Sequence, residues 1–286
     1  MRVVTDPGEF SALCRQDRCA GLITALVPTM GYFHAGHLSL MDHARSRAGR
    51  VYVSLFVNPT QFGPGEDLAA YPRDLDRDAA LAESRGVDLL FAPEPGAMYA
   101  PDHATVVQVP ALAEHLCGQS RPVHFQGVAT VVAKLLILAA PSLAVFGQKD
   151  WQQLALVRRM ARDLFLPTEI LGRPIVREQD GLAMSSRNVY LTPEERAQAP
   201  QIRAGLLLVR ERYAAGERDP AALRQVLAAH LAERLPLGAP DYLEFVDRDS
   251  IQPVAAADER TLAAVAVRLG RARLIDNIIL AGDEVE

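Results

Sequence analysis

Residues 22–57 read LITALVPTMGYFHAGHLSLMDHARSRAGRVYVSLFV. Two apolar runs, 22–27 and 51–57, enclose a turn at Pro28, Thr29, Met30 and Gly31 and a segment from Gly36 to about Ala48 that reads as a helix. The second run, Val51-Tyr52-Val53-Ser54-Leu55-Phe56-Val57, is rich in β-formers and apolar on both faces, the pattern of a central parallel strand. Strand, crossover helix and strand make a βαβ unit, and such units build a parallel sheet.

The same rhythm extends outward from this stretch. It predicts helices over 75–84, 128–139 and 151–164, alternating with strands over 87–92, 143–146 and 168–171. After Ile175 the texture changes. Gln179-Asp180-Gly181 is a turn signal, and Thr192-Pro193-Glu194-Glu195 combines an N-cap, a proline at the first helical position and a capping-box glutamate. One long helix is expected from there to about Tyr213, and Asp219-Pro220 opens another. Strand-like runs follow at 242–246, 262–267 and 274–280. The chain therefore reads as α/β: a parallel-sheet domain over 1–175, then a smaller α+β domain with an antiparallel sheet over 176–286, joined near 173–190.

Composition narrows the functional classes. With 286 residues, 49% hydrophobic and 23% charged, the chain can bury a core without disulfides, and neither disorder nor coiled coil fits. Thirty Lys and Arg against 35 Asp and Glu give a net charge of -5, and the basic residues are scattered, which argues against a nucleic-acid partner. Cys14, Cys19 and Cys117 are odd in number and lack a CxxC pair, so a reducing cytoplasm is expected. MRVVTDPGEF lacks the apolar stretch of a signal peptide, and the most apolar later region is interrupted by Lys134 and Pro141, so no membrane association is expected. The thirty basic residues include only two lysines, Lys134 and Lys149. Where arginine is used so freely, a lysine marks a place suited to a compact point charge; an arginine-rich genome is the competing explanation.

Ligands of open parallel sheets bind beyond the carboxyl ends of strands, so polar residues just after strands are the first candidates. Met30-Gly31-Tyr32-Phe33-His34-Ala35-Gly36-His37 sets two imidazoles three residues apart at a helix start, where free N–H groups and the dipole favour a phosphate. Incidental histidines and a metal pair are the alternatives, and the metal lacks a third ligand at recognisable spacing. Gly147-Gln148-Lys149-Asp150 follows the strand at 143–146, offering a cation for a phosphoryl oxygen and a carboxylate for a ribose hydroxyl. Lys134 lies in an apolar stretch and reads as a packing residue. Met184-Ser185-Ser186-Arg187-Asn188 gathers hydroxyls, a guanidinium and an amide in a loop able to close over a triphosphate, or forms a plain polar turn. Amides at Asn58, Gln61, Gln152 and Gln153 suit a small hydroxy acid.

Taken in order, PTMGYFHAGH, SLFVNPTQFG, YPRD, RPVHFQGVATVV, FGQKDWQQ, DGLAMSSRNVYL and RLIDNIIL resemble the pantoate-beta-alanine ligase family of the HxGH-type nucleotidyltransferase superfamily. The resemblance implies a Rossmann-like N-terminal domain, a smaller C-terminal lid domain and a homodimer. It further implies ATP-dependent condensation of pantoate with beta-alanine through a pantoyl adenylate, with Mg2+ assisting. Met30, Gly31, Tyr32, Phe33, His34, Ala35, Gly36 and His37 would form the first ATP loop, His34 and His37 lying beside the phosphates and His37 donating a proton. Gly147, Gln148, Lys149, Asp150, Met184, Ser185, Ser186 and Arg187 would supply further ATP contacts, with Val176 near the adenine. Gln61 and Gln153 would hold pantoate, with Asn58 beside them. Catalytic roles fall to His37, His34, Lys149, Ser185 and Arg187. No protein ligand of Mg2+ is assigned, because Asp76 and Asp78 fall in an acidic helix and the phosphates can hold the ion. The rival readings are a nucleotidyltransferase that leaves the nucleotide on its product, and a noncatalytic ATP sensor.

Overall fold

The computed structural model describes residues 1–282. They form two compact units whose segments interleave along the chain. The first comprises Met1–Pro110, Arg121–Gly147 and Leu156–Arg173, and the second comprises Ala111–Ser120, Gln148–Ala155 and the chain from Pro174 onward.

The first unit opens with β1 (Arg2–Val4) and α1 (Pro7–Cys19). It continues through β2 (Thr24–Thr29), α2 (Ala35–Arg47), β3 (Arg50–Leu55), α3 (Leu75–Ser84), β4 (Leu89–Phe91) and α4 (Pro95–Met98). After α5 (Cys117–Ser120) of the second unit come α6 (His124–Ala139), β5 (Leu143–Gly147), α7 (Trp151–Asp163), whose residues up to Ala155 belong to the second unit, and β6 (Glu169–Arg173). The six strands pair in parallel in the order β1-β4-β3-β2-β5-β6, a Rossmann-like sheet. As the two-sided apolar run implies, β3 lies inside the sheet, with Val51, Tyr52 and Val53 buried. Ala25 and Val27 of β2, Val53 of β3 and Val145 of β5 meet Met41 and Ala44 of α2 in one core. The chain winds from β2 toward β4 and then returns to place β5 on the other side of β2, so β2 and β5 flank the point where strand order reverses. Their carboxyl ends, Thr29 and Gly147, are where such a sheet binds ligands.

The second unit adds α8 (Pro193–Gln198), α9 (Gln201–Ala214), α10 (Pro220–Arg234) and the antiparallel strands β7 (Gly238–Asp247), β8 (Thr261–Leu269) and β9 (Ala272–Ile279). Ile202, Leu206 and Val209 on α9, and Leu223, Leu227 and Leu231 on α10, recur at helical spacing and pack on Phe245, Val265, Val267, Leu274 and Ile278 of the sheet. The single helix expected from Thr192 to Tyr213 is two helices. Pro200 brings no N–H to continue the α8 ladder, and α9 restarts from it. Helix α6 begins at His124, four residues before its apolar periodicity does.

Candidate active site

The residues expected to act fall into two sets, one in each unit. In the first unit the Met30–His37 loop leaves β2 and enters α2, and its backbone is held from below by α3. Asp78, wholly buried, accepts the backbone N–H groups of Tyr32 and of Phe33, the latter at 2.8 Å. Burial pushes the Asp78 carboxyl up, while those two donors pull it back. Arg77 donates to the Phe33 carbonyl at 2.8 Å and lies 5.0 Å from the centre of the Tyr32 ring. Gly31 has φ +85°, and a Cβ there would come within 3.1 Å of Asp78 and Leu55, so the turn requires glycine. Phe33 buries its ring in the core, and its backbone polar groups serve Asp78 and Arg77.

His34 caps α2, its Nδ1 accepting from the Gly36 N–H at 3.1 Å. His37 Nδ1 accepts from the His34 N–H at 3.3 Å, and the two ring centres are 4.0 Å apart. A backbone N–H can only donate, so in the neutral rings both Nδ1 atoms are acceptors and both protons sit on Nε2. The start of α2 thus carries two imidazole N–H donors, an arrangement suited to anionic oxygen.

Beyond β3 the chain turns through a short 3₁₀ segment, Pro59–Gln61, capped by Asn58. Asn58 and Gln61 are buried. Asn58 Oδ1 accepts from the Thr60 N–H at 3.3 Å and from the Tyr99 hydroxyl at 2.8 Å. Its Nδ2 donates to the Gly127 carbonyl at 3.1 Å and to Gln61 Oε1 at 3.2 Å. Gln61 Nε2 then donates to Met30 Sδ at 3.0 Å, joining the amide pair to the histidine loop. The Gln61 carbonyl accepts from His124 Nδ1 at 2.9 Å and Arg121 Nη2 at 3.3 Å, and Arg121 also forks onto Glu66. Gly127 lets α6 approach this turn, since a Cβ there would fall 2.5 Å from the Thr60 carbonyl oxygen.

In the second unit, Gln148-Lys149-Asp150 forms a 3₁₀ turn whose Gln148 and Lys149 carbonyls accept from Asn277 Nδ2 at 3.0 and 2.9 Å. Lys149 Nζ lies 3.7 Å from Asp150 Oδ2. Gln153 is half-buried, whereas Gln152 is spent on structure: its amide donates to the Leu112 and His115 carbonyls and accepts from the Cys117 N–H. The Met184 N–H donates to the Val176 carbonyl at 3.0 Å, bringing two of the expected ATP residues together. Ser185 caps the next 3₁₀ turn by accepting the Arg187 N–H at 3.2 Å, and Ser186 is buried. Arg177 binds Asp276 through two bonds of 2.7 and 2.9 Å, steadying the strand beside this loop. Adjacent residues of β9, Asp276 and Asn277, therefore hold the two loops of this set, one through Arg177 and one directly.

Several of these supporting residues escape sequence reading. Asp78 reads as one more acid on an exposed helix, and Asn277 gives no signal beyond its place in RLIDNIIL. No cluster of three or more potential metal ligands occurs among the described residues. No helix among them is long and apolar enough to cross a membrane.

Comparison with known proteins agrees with this architecture along its length. The family described as pantoate-beta-alanine ligase matches residues 2–279. A pantothenate synthetase of Nitratidesulfovibrio vulgaris (strain DSM 19637 / Miyazaki F) is 60% identical over 283 residues, covering 99% of this chain and 100% of the relative. The crystal structure of pantothenate synthetase from Thermus thermophilus aligns with a TM-score of 0.92 at 47% identity, over 98% of this chain and 99% of that one. A pantoate-beta-alanine ligase from Francisella tularensis, complexed with beta-gamma ATP and beta-alanine, aligns with a TM-score of 0.80 at 30% identity, over 99% of each chain. With the match running through both units, the chain belongs to the pantoate-beta-alanine ligase family.

Proposed function

We propose that the protein condenses (R)-pantoate with beta-alanine, using ATP, to give pantothenate, AMP and pyrophosphate. A pantoate carboxylate oxygen attacks the α-phosphorus, and the bond from that phosphorus to the pyrophosphate oxygen breaks. The amine of beta-alanine then attacks the carbonyl carbon of the pantoyl adenylate, AMP leaves, and the nitrogen loses a proton. The observation that carries this reading is the pair of imidazoles whose Nδ1 atoms accept from backbone N–H groups, which puts the protons of the neutral rings on Nε2 at a helix start. They suit the charge that develops on departing phosphate oxygens, and His37 is the proton donor.

Lys149, Ser185, Ser186 and Arg187 add positive charge and donors for the same phosphates, and Val176 lies by the adenine. The ligand named in the Francisella relative's structure supports ATP and beta-alanine as substrates. Gln61 and Gln153 hold pantoate, with Asn58 supporting. A thioether is a weak acceptor, so a pantoate oxygen competes well for the Gln61 hydrogen that meets Met30 Sδ. Asp78 fits a resident Mg2+ poorly, because its carboxylate is committed to two backbone N–H groups, and no group of three or more potential ligands occurs among the described residues. The metal enters with the nucleotide, as MgATP. Residues 1–175 bind ATP and pantoate, residues 176–286 serve as the lid, and the setting is a cytoplasmic homodimer.

Exchange of labelled pyrophosphate into ATP tests the sequence of steps. It should depend on pantoate and proceed without beta-alanine, and adding beta-alanine should yield AMP and pantothenate. Overall turnover without that exchange would argue against a separate adenylation. A stable nucleotidyl product would favour a nucleotidyltransferase, and ATP binding with no turnover would favour a sensor.

A further inference from the structure

The two lysines of this arginine-rich chain have different surroundings, and those of Lys134 lead to a residue without an assigned role. Lys134 lies on α6, where its Nζ donates to the Met98 carbonyl and sits 4.2 Å from the centre of the Tyr99 ring. Tyr99 is the residue that ends α4. His103 meets the same ring edge-on at 5.0 Å between centres, and Phe56 lies 6.4 Å away. The ring is thus held by a cation and two aromatic neighbours, and burial pushes its hydroxyl up, so it remains a protonated donor. That hydroxyl donates to Asn58 Oδ1 at 2.8 Å.

The polarity of the amide pair follows from groups that cannot reverse. The Thr60 N–H can only donate, so the Asn58 atom facing it is oxygen; the Gly127 carbonyl can only accept, so the atom facing it is nitrogen. Asn58 Nδ2 therefore meets the oxygen of Gln61, and the NH2 end of Gln61 is the end that faces Met30. Tyr99 adds a hydroxyl to the acceptor end of this chain, and Lys134 fixes the turn from which Tyr99 reaches it.

We propose that Tyr99, backed by Lys134, is a positioning residue that sets the affinity for pantoate by holding the Asn58–Gln61 amide pair with its NH2 end toward the substrate. The proposal rests on the reading of Gln61 as a pantoate ligand. It predicts a specific kinetic signature, because a looser amide weakens binding of the hydroxy acid without touching the phosphates.

Steady-state rates of the complete enzyme with Tyr99→Phe test it. Loss of the hydroxyl removes its part-buried bond to Asn58 and its 3.3 Å contact with Thr60 Oγ1, and should raise the KM for pantoate about five- to tenfold, with kcat and the KM for ATP within about twofold. Lys134→Met should move the same constant in the same direction by a smaller factor, and Lys134→Arg, which keeps a cation over the ring, should restore it. In a Gln61→Leu background, Tyr99→Phe should add almost nothing, whereas a general loosening of the fold would add its full effect. If Gln61→Leu raises the pantoate KM and Tyr99→Phe leaves it unchanged, the positioning role is wrong while the reading of Gln61 stands. If Gln61→Leu itself leaves pantoate KM unchanged, the reading of the amide falls, and the role of Tyr99 falls with it.

Discussion

Lys149 sits on a turn whose carbonyls are tied to Asn277, so its ammonium is a point charge on a fixed base. In the proposed reaction charge on the phosphates grows as the adenylate forms, and a cation beside them would act on the transition state more than on bound ATP. Lys149→Ala should lower kcat by roughly 100-fold while the thermal melt stays that of the parent, measured on purified protein. A near-normal kcat would remove Lys149 from the chemistry. This candidate is legible in sequence because lysine is scarce here and follows a strand. The histidine pair is legible for a similar reason, since a spacing of three at a helix start brings rings together whatever the rest of the chain does. Asp78 and Tyr99 are not. Their importance lies in burial and in partners 45 and 41 residues away, and one sequence shows neither.

At the scale of elements, Gly127 decides how closely α6 can lie against the turn that carries Gln61. A Cβ at 127 would lie 2.5 to 2.6 Å from backbone atoms of Thr60 and Gln61, which cannot rotate away as a side chain can. Gly127→Ala should therefore cost about 1 to 3 kcal/mol of stability despite the better helix propensity of alanine. Denaturant titration would show the loss, and the pantoate KM should rise with it as the turn shifts; unchanged stability would mean the turn relaxes freely. Periodicity makes β2, α2, β3 and α3 readable, because each buries a regular face. Helix α1 offers less: Asp6, Pro7 and Glu9 mark its start, but only Phe10 and Cys14 are buried along it. The caps at Thr192 and Asp219 mark the starts of α8 and α10 as the sequence implies, whereas the break at Pro200 and the start of α6 at His124 are where sequence and structure part.

At the scale of the whole molecule, the interleaved units mean that no single cut separates them. Ala111–Ser120 and Gln148–Ala155 belong with the antiparallel sheet. A fragment comprising 176–286 would leave Asn277 without the Gln148 and Lys149 carbonyls, and Arg273 without Ser120 and Cys117. Each lost hydrogen bond removes about 0.5 to 1.5 kcal/mol net, so the fragment should melt below the complete chain by circular dichroism. An equal melting temperature would show that the two inserted segments contribute nothing to that unit. The tie between Lys149 and Asn277 spans 128 residues of chain. On the ribosome, at about 5 to 20 residues per second, that span takes roughly 6 to 26 seconds to make. Five of the six parallel strands precede Lys149 and β6 follows within that interval, so a nascent chain stalled between β6 and Asn277 carries every strand of the parallel sheet while the lysine turn still lacks its anchor.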